Sequence, residues 1–327
     1  MRRWLVEAFG SPEDVWRLVE DSDEFMPGPG QVKVRVEAAG LGLPDVLMCH
    51  DNYPLTPPLP FTPSQEAAGE VIALGEGVDA ALLGKRVLGP TLFREQRGGL
   101  ADECLMHVSG ALPIPDEMTG VEAAGFFIPY QTAWVALVRR ARITADDTLL
   151  VLGASGSSGC AAVQLARAKG ARVIAVAGGP EKVAFCRSIG ADEVIDRKRQ
   201  DVTATALELT DGRGVSMVFD PVGGKAGRAA FKAIAFEGKF IVIGYASGEW
   251  AQITLPETLM KNISLVGAMP VGYSAEQVMV AHEDLLHHWR RGELKVANCQ
   301  VFEFDDARTA IATIAAGKVE GKVVVRL

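Results

Sequence analysis

Seven residues, Gly153-Ala-Ser-Gly-Ser-Ser-Gly159, constrain this chain more than any other stretch, because of what stands on either side of them. The run TLLVLGAS leads in and reads as an apolar strand. An alanine-rich helix over residues 157–169 leads out and stops at Gly170, a favourable residue just past a helix end. Glycine at the first, fourth and seventh positions permits a tight turn and lets backbone come close to a pyrophosphate. The free N–H groups of the helix that follows then face the phosphates. Ser155, Gly156, Ser157, Ser158 and Gly159 are therefore expected to hold a dinucleotide.

The surrounding texture supports that context. From about residue 123 strands and helices alternate: ARVIAVAGG, then PEKVAFCRSIG with Pro at its start and Gly at its end, then DEVIDR, VSMVFD and GKFIVIGYASG. Apolar strands of this kind, buried on both faces, imply a parallel sheet covered by helices, a doubly wound nucleotide-binding domain over residues 123–265. Residues 1–122 read instead as β-rich, with WLVEAF, VWRLVE, VKVRVEAAG, EAAGEVIALGEGV and GKRVLG as short strands between Gly, Pro and Asp. Asp51 to Pro63 carries five prolines and is expected to be loop. Residues 266–327 form a helix over 274–291, the strand VFEF, a helix over 305–316 and the strand KVVVRL. They do not extend the alternating series cleanly, so they are assigned back to the first domain, which makes the nucleotide domain an insert.

A length of 327 residues suits two domains, and a net charge of −8 argues against a nucleic-acid partner, which needs a basic surface. MRRWLVEAFG has no apolar stretch of signal-peptide kind, and no run of about 18 apolar residues suggests a membrane span. The five cysteines are scattered without a CxxC pair, which suggests neither a disulfide framework nor a thiolate zinc lobe, and a cytoplasmic location is expected. Cys49 and His50 are adjacent, but a tetrahedral metal needs a third protein ligand and none is evident.

The end of the second strand of the nucleotide domain selects the cofactor. NAD sites usually place Asp or Glu there for the ribose hydroxyls; this chain has Ala177-Gly178-Gly179, with Lys182 and Arg197 downstream. Small residues leave room for a 2′-phosphate and the cations attract it, which favours NADPH. The segments from Asp220 to Gly224 (with Val222) and from Gly244 to Gly248 (with Tyr245 and Ala246) end the fourth and fifth strands. Ligands on such sheets lie beyond the carboxyl ends of strands, so both are expected to border the nicotinamide half.

The order of EAAGEVIALGEGV, GASGSSGCAAVQLARAKGARVIAVAG, GADEVID, VFDPVGG and IVIGYASG resembles the medium-chain dehydrogenase/reductase superfamily, and within it the zinc-free quinone oxidoreductase (zeta-crystallin-like) group. The likeness runs nearly end to end, from GLGLPDVLMCHDNYP to GKVVV. It implies an α/β chain in which a Rossmann doubly wound parallel sheet is inserted into a GroES-like β-rich catalytic domain. It also implies NADPH, a homodimer, and hydride delivery to a quinone or an α,β-unsaturated carbonyl. Zinc enzymes of the superfamily carry a Gly-His-Glu motif where this chain has Ser64-Gln65-Glu66, and their four-cysteine lobe is missing, so no metal is expected.

By the same resemblance, Tyr53 lines the acceptor site, Thr132 in PYQTAW lies beside the nicotinamide, and Lys322 in GKVVV joins the cofactor residues. Tyr53 could hydrogen-bond the acceptor oxygen or donate its proton, and it could equally be a packing residue. Three positions depart from the family: Gly42 replaces an Asn beside the nicotinamide, Leu47 replaces a Tyr of some quinone reductases, and Arg197 replaces an adenine-side Tyr. The first two make the acceptor pocket less polar. Two other readings stay open: an enoyl-thioester C=C reductase, and an NADPH-binding protein without catalysis.

Overall fold

The structure, a computed structural model, describes residues 1–20, 25–296 and 299–327. The chain divides into two compact units. One is Met1–Ile128 with Ser274–Met279 and the C-terminal stretch to Leu327; the other is Pro129–Tyr273 with the segment that begins at Val280.

The first unit is built on a seven-stranded sheet. Its path runs Gln300–Glu303, Val323–Arg326, Gln31–Leu41, Glu66–Leu74, Arg86–Pro90 and Leu112–Pro113, with Glu103–His107 also pairing with Gln31–Leu41. The long strand Gln31–Leu41 begins with the alternation of a half-buried strand, Val32, Val34 and Val36 pointing inward. From Ala38 to Leu41 every residue is buried, and here Glu66–Leu74 and Val323–Arg326 are the neighbouring strands. This register sets Gly40 opposite both Glu66 and Val324, and Leu41 opposite Val323, so two segments distant in sequence meet at one place. Below the sheet lie Trp4, Trp16, Met48, Phe61 and Phe304. The indole N–H of Trp4 is satisfied by the Phe304 carbonyl at 2.9 Å, as a buried indole requires.

The second unit carries a six-stranded sheet in which every pairing is parallel. In spatial order the strands are Glu193–Asp196, Arg172–Ala177, Thr148–Val151, Val215–Asp220, Ile234–Val242 and Ser264–Gly267. By chain order within the unit that is 3-2-1-4-5-6, the order of a Rossmann sheet, with its reversal beside Thr148–Val151. Leu150, Ile174, Val218, Phe231 and Phe240 form the core over which the helices close. Each such side chain contributes about 1.5–3 kcal/mol by leaving water.

Two sequence expectations need correction. The sixth strand, Ser264–Gly267, pairs in register with Ile234–Val242 and so carries the nucleotide sheet beyond residue 265. The helix Ala275–Arg290, expected with the first domain, belongs from Val280 onward to the second unit. That part of the helix buries Ala281, Leu285 and Leu286, and its Asp284 carboxylate accepts from Trp134 Nε1 at 2.7 Å and from Lys169 Nζ at 2.9 Å. A stretch long and apolar enough to cross a membrane also exists, Gly120–Arg140, although the sequence reading found none. Most of it is buried inside the protein, which accounts for its apolarity.

Candidate active site

The turn after Thr148–Val151 is shaped by its glycines. Gly153 has a left-handed φ of +56°, and the Gly156 amide donates back to the Gly153 carbonyl at 2.9 Å. A β-carbon at Gly159 would lie 2.3 Å from that same carbonyl oxygen, so only glycine lets the helix Ser157–Ala168 begin so near the turn. The N-cap residue is Gly156, which has no side chain to cap the first turn. The amides of Ser157, Ser158 and Gly159 therefore form a donor set with the positive end of the helix dipole behind it. Ser155 beside them is buried.

Beyond Arg172–Ala177 the chain makes a second small-residue turn. Gly179 has φ +97°, and Pro180 opens the next helix, with Lys182 in its first turn. The Arg197 guanidinium stands against Gly178: a β-carbon there would be 3.1 Å from Arg197 Nε. Lys198 stands against Gly179, its Nζ 3.6 Å from the corresponding point. Asp196 ties this turn together, accepting the Gly179 amide at 2.9 Å and the Lys198 amide at 3.0 Å, while the Arg197 amide donates to the Ala177 carbonyl at 2.9 Å. Those two amides hold the Asp196 carboxyl below its usual range. Its Oδ1 is thereby committed to backbone. Asp196 and Lys198 were missed in the sequence reading, although the run Arg-Lys-Arg at 197–199 was visible.

The loops after the fourth and fifth strands are fastened to each other. Asp220 is buried and accepts the amides of Val222 and Gly223 at 2.9 and 2.8 Å. Gly244 donates to the Asp220 carbonyl, Ala246 to that of Pro221 and Ser247 to that of Val222. Tyr245 packs on Trp250 with ring centroids 4.5 Å apart. The Val222 side chain reaches to 3.0 Å of where a Gly153 β-carbon would be, so these loops adjoin the glycine turn. Thus Ser155–Gly159, Gly178, Gly179, Arg197, Val222 and Gly244–Ala246 all lie at the carboxyl ends of one sheet. Thr132, also in this unit, is buried within the helix Gly120–Trp134.

The remaining expected residues lie in the first unit. Gly42 precedes the short helix Leu43–Cys49, and Lys322 is close to it: a Gly42 β-carbon would stand 4.0 Å from Lys322 Nζ. Lys322 is 5% exposed and pairs with Glu66 Oε1 at 2.5 Å; Glu66 Oε2 accepts the Ile128 amide at 2.7 Å. Asp45, also buried, accepts the amides of Gly42 and Ser64, each at 2.9 Å. Burial pushes its carboxyl up to about 6, against the opposing effect of the Gly42 amide and of Lys322. Tyr53 packs against the apolar core of this unit. Cys49 accepts the Trp16 indole N–H at 3.1 Å, and burial raises its thiol to about 12, so it is a neutral packing group. Among the described residues no three His, Cys, Asp or Glu side chains gather as a metal site.

Two family models match this chain: the alcohol dehydrogenase GroES-like domain over residues 28–140 and the zinc-binding dehydrogenase over residues 159–282. The quinone oxidoreductase-like protein 2 homolog of Nematostella vectensis is 35% identical over 303 residues, covering 91% of this chain and 82% of its own length. The quinone oxidoreductase of Pseudomonas aeruginosa is 30% identical over 99% of this chain and 98% of its own. Among solved structures, the Escherichia coli quinone oxidoreductase complexed with NADPH superposes with a TM-score of 0.91 at 25% identity, and both chains are covered completely. The quinone oxidoreductase of Thermus thermophilus, also solved in complex with NADPH, gives 0.85 at 32% identity, again over both whole chains. Matched along its whole length by sequence and by fold, this chain belongs to the quinone oxidoreductase group of the medium-chain dehydrogenase/reductase superfamily.

Proposed function

We propose that this protein is an NADPH-dependent, zinc-independent reductase of quinones or α,β-unsaturated carbonyl compounds. The observation that carries the reading is the pair of cations at Gly178 and Gly179, on the same sheet edge as the uncapped amides of Ser157–Gly159. The residues present fit the cofactor. A pyrophosphate needs close backbone and unpaired N–H donors, which the glycine turn offers. A 2′-phosphate needs room and positive charge, which Gly178, Gly179, Arg197 and Lys198 offer, with Lys182 nearby. The Asp196 carboxylate beside these cations already accepts two amides.

When bound, NADPH supplies the hydride that such a reduction needs. The chain's own share is binding and orientation. The fastened loops at 220–224 and 244–248 and the buried Thr132 are assigned to the nicotinamide half, and Tyr53 to the wall of the acceptor site. Zinc independence is supported by the residues themselves: Gln65 stands beside Glu66, whose carboxylate is engaged by Lys322 and by the Ile128 amide. A chain of five scattered cysteines with no CxxC pair suits a reducing, cytoplasmic setting.

A homodimer is part of this reading. Ser264–Gly267 is the edge strand of the parallel sheet, and Leu255, Leu259, Met260 and Leu265 stand exposed around it, each 46–79% accessible. An edge strand flanked by apolar side chains suits pairing with the same strand of a second copy. Sedimentation at micromolar protein is expected to give twice the chain mass.

The functional test is a screen of 1,4-quinones and simple enones, with oxidation of NADPH and NADH followed by absorbance. NADPH is expected to be consumed much faster. A preference for NADH would overturn the phosphate assignment, and tight NADPH binding without turnover on any acceptor would leave only the binding function.

A further inference from the structure

Lys322 is the one Lys or Arg among the described residues that is buried. An ammonium carries three N–H donors. Among the described residues Lys322 Nζ has a single hydrogen-bond partner, Glu66 Oε1. Every carboxylate oxygen around it already has a partner. Glu66 takes the Ile128 amide on its other oxygen, and Asp45 takes the amides of Gly42 and Ser64 on its two oxygens. The cation therefore keeps spare donors, and a buried charge with unused donors is costly unless a ligand engages them.

The neighbour that would cover this ammonium is missing a side chain. Gly42 has an ordinary extended backbone, φ −152°, so its conformation does not call for glycine. A β-carbon there would touch nothing nearer than Pro44 Cδ at 3.4 Å, with Lys322 Nζ next at 4.0 Å. What the glycine does is leave space for a side chain's worth of atoms beside the buried ammonium. The sheet register explains why the charge is there at all, since Lys322 directly precedes Val323, which is paired with Leu41.

We propose that Lys322, held by Glu66 and bordered by the space at Gly42, is a substrate-facing cation that hydrogen-bonds the oxygen of the carbonyl compound being reduced. This rests on the reductase reading above. In the reduction a new C–H bond forms on the acceptor from the hydride of the reduced nicotinamide. The conjugated π electrons shift by one position, and the pair from the C=O bond settles on oxygen. Nζ–H donors meet that developing negative charge without leaving nitrogen, and the proton that completes the product comes from water. Donors fixed in place before the charge appears stabilise it without reorganisation.

Three variants test the assignment: Lys322→Arg, the double variant Lys322→Met with Glu66→Gln, which removes both charges together, and Gly42→Leu, which covers the ammonium and leaves the ion pair intact. Each is assayed with NADPH and 1,4-naphthoquinone. NADPH affinity is measured separately by fluorescence, and affinity for an oxyanion probe by titration of 4-nitrophenolate at pH 8, with and without NADP⁺. The double variant and Gly42→Leu are expected to lose at least thirtyfold in kcat/KM for naphthoquinone and at least tenfold in nitrophenolate affinity. NADPH affinity stays within twofold, and Lys322→Arg restores most of the activity. Unchanged nitrophenolate affinity in the double variant would overturn the proposal, as would a loss confined to NADPH affinity, which would make Lys322 a cofactor ligand. If the wild-type protein binds no NADPH the reductase reading fails, and the nitrophenolate titration still decides whether Lys322 is an oxyanion site.

Discussion

The Arg197 guanidinium lies against the backbone of Gly178, with Nε 3.1 Å from the point a β-carbon would occupy. Glycine and arginine are thus matched, the one giving the space that the other borders. Lys198 and Gly179 repeat the arrangement one residue along. On the proposed cofactor assignment, replacing Arg197 and Lys198 together by alanine removes two charge-assisted contacts to a 2′-phosphate. The Michaelis constant for NADPH is expected to rise roughly ten- to a hundredfold while that for NADH stays nearly level. Steady-state kinetics with both nucleotides decide the point, and an equal rise for both would locate the cations elsewhere.

Gly159→Ala and Gly156→Ala form a contrasting pair. The first places a methyl group 2.3 Å from the Gly153 carbonyl oxygen, and the second meets the same oxygen at 3.4 Å. Overpacking of this kind costs about 1–3 kcal/mol. Gly159→Ala should therefore lower the melting temperature and abolish NADPH binding, whereas Gly156→Ala should melt close to the wild type. Calorimetry of the two variants, with and without NADPH, is the check.

Asp45 makes the stability of the protein depend on pH. Its carboxyl is raised from 3.8 to about 6 in the folded state, chiefly by burial. The folded protein thus holds this proton more tightly than the unfolded chain does. The contribution is complete below pH ~4 and disappears as pH rises through ~6, a change of about 3 kcal/mol for a shift of this size. Denaturant titrations between pH 4 and 7.5 should show this slope, and Asp45→Asn should flatten it.

Asp284 is expected to be a structural anchor. Alanine there would leave the Trp134 indole N–H and the Lys169 ammonium without their shared acceptor. A loss of about 2 kcal/mol is expected, with faster proteolysis near the helix Ala275–Arg290 and little change in the acceptor's Michaelis constant.

How much of this could be read beforehand follows from the range of the forces involved. The turn at Gly153–Gly159 and the strand–helix alternation are local: hydrophobic period, proline and glycine positions and helix ends determine them within a few residues. The space at Gly178 was legible for the same reason. The home of the helix Ala275–Arg290 was not, because it rests on long-range contacts, such as those of the Asp284 carboxylate with partners 150 and 115 residues away. Nor was the Glu66–Lys322 pair, 256 residues apart, which exists only because two strands flank Gly40 and Leu41. Lys198 was overlooked because a cation in a charged run usually faces solvent, whereas here its Nζ stands against Gly179 and its amide bonds Asp196.

The two loops are joined by main-chain bonds, from the Ala246 amide to the Pro221 carbonyl and from the Ser247 amide to the Val222 carbonyl. These bonds themselves call for no particular side chain at Ala246 and Ser247. Substitutions at Ala246 and Ser247 are therefore expected to leave the frame beneath in place, so this rim is where redesign can begin.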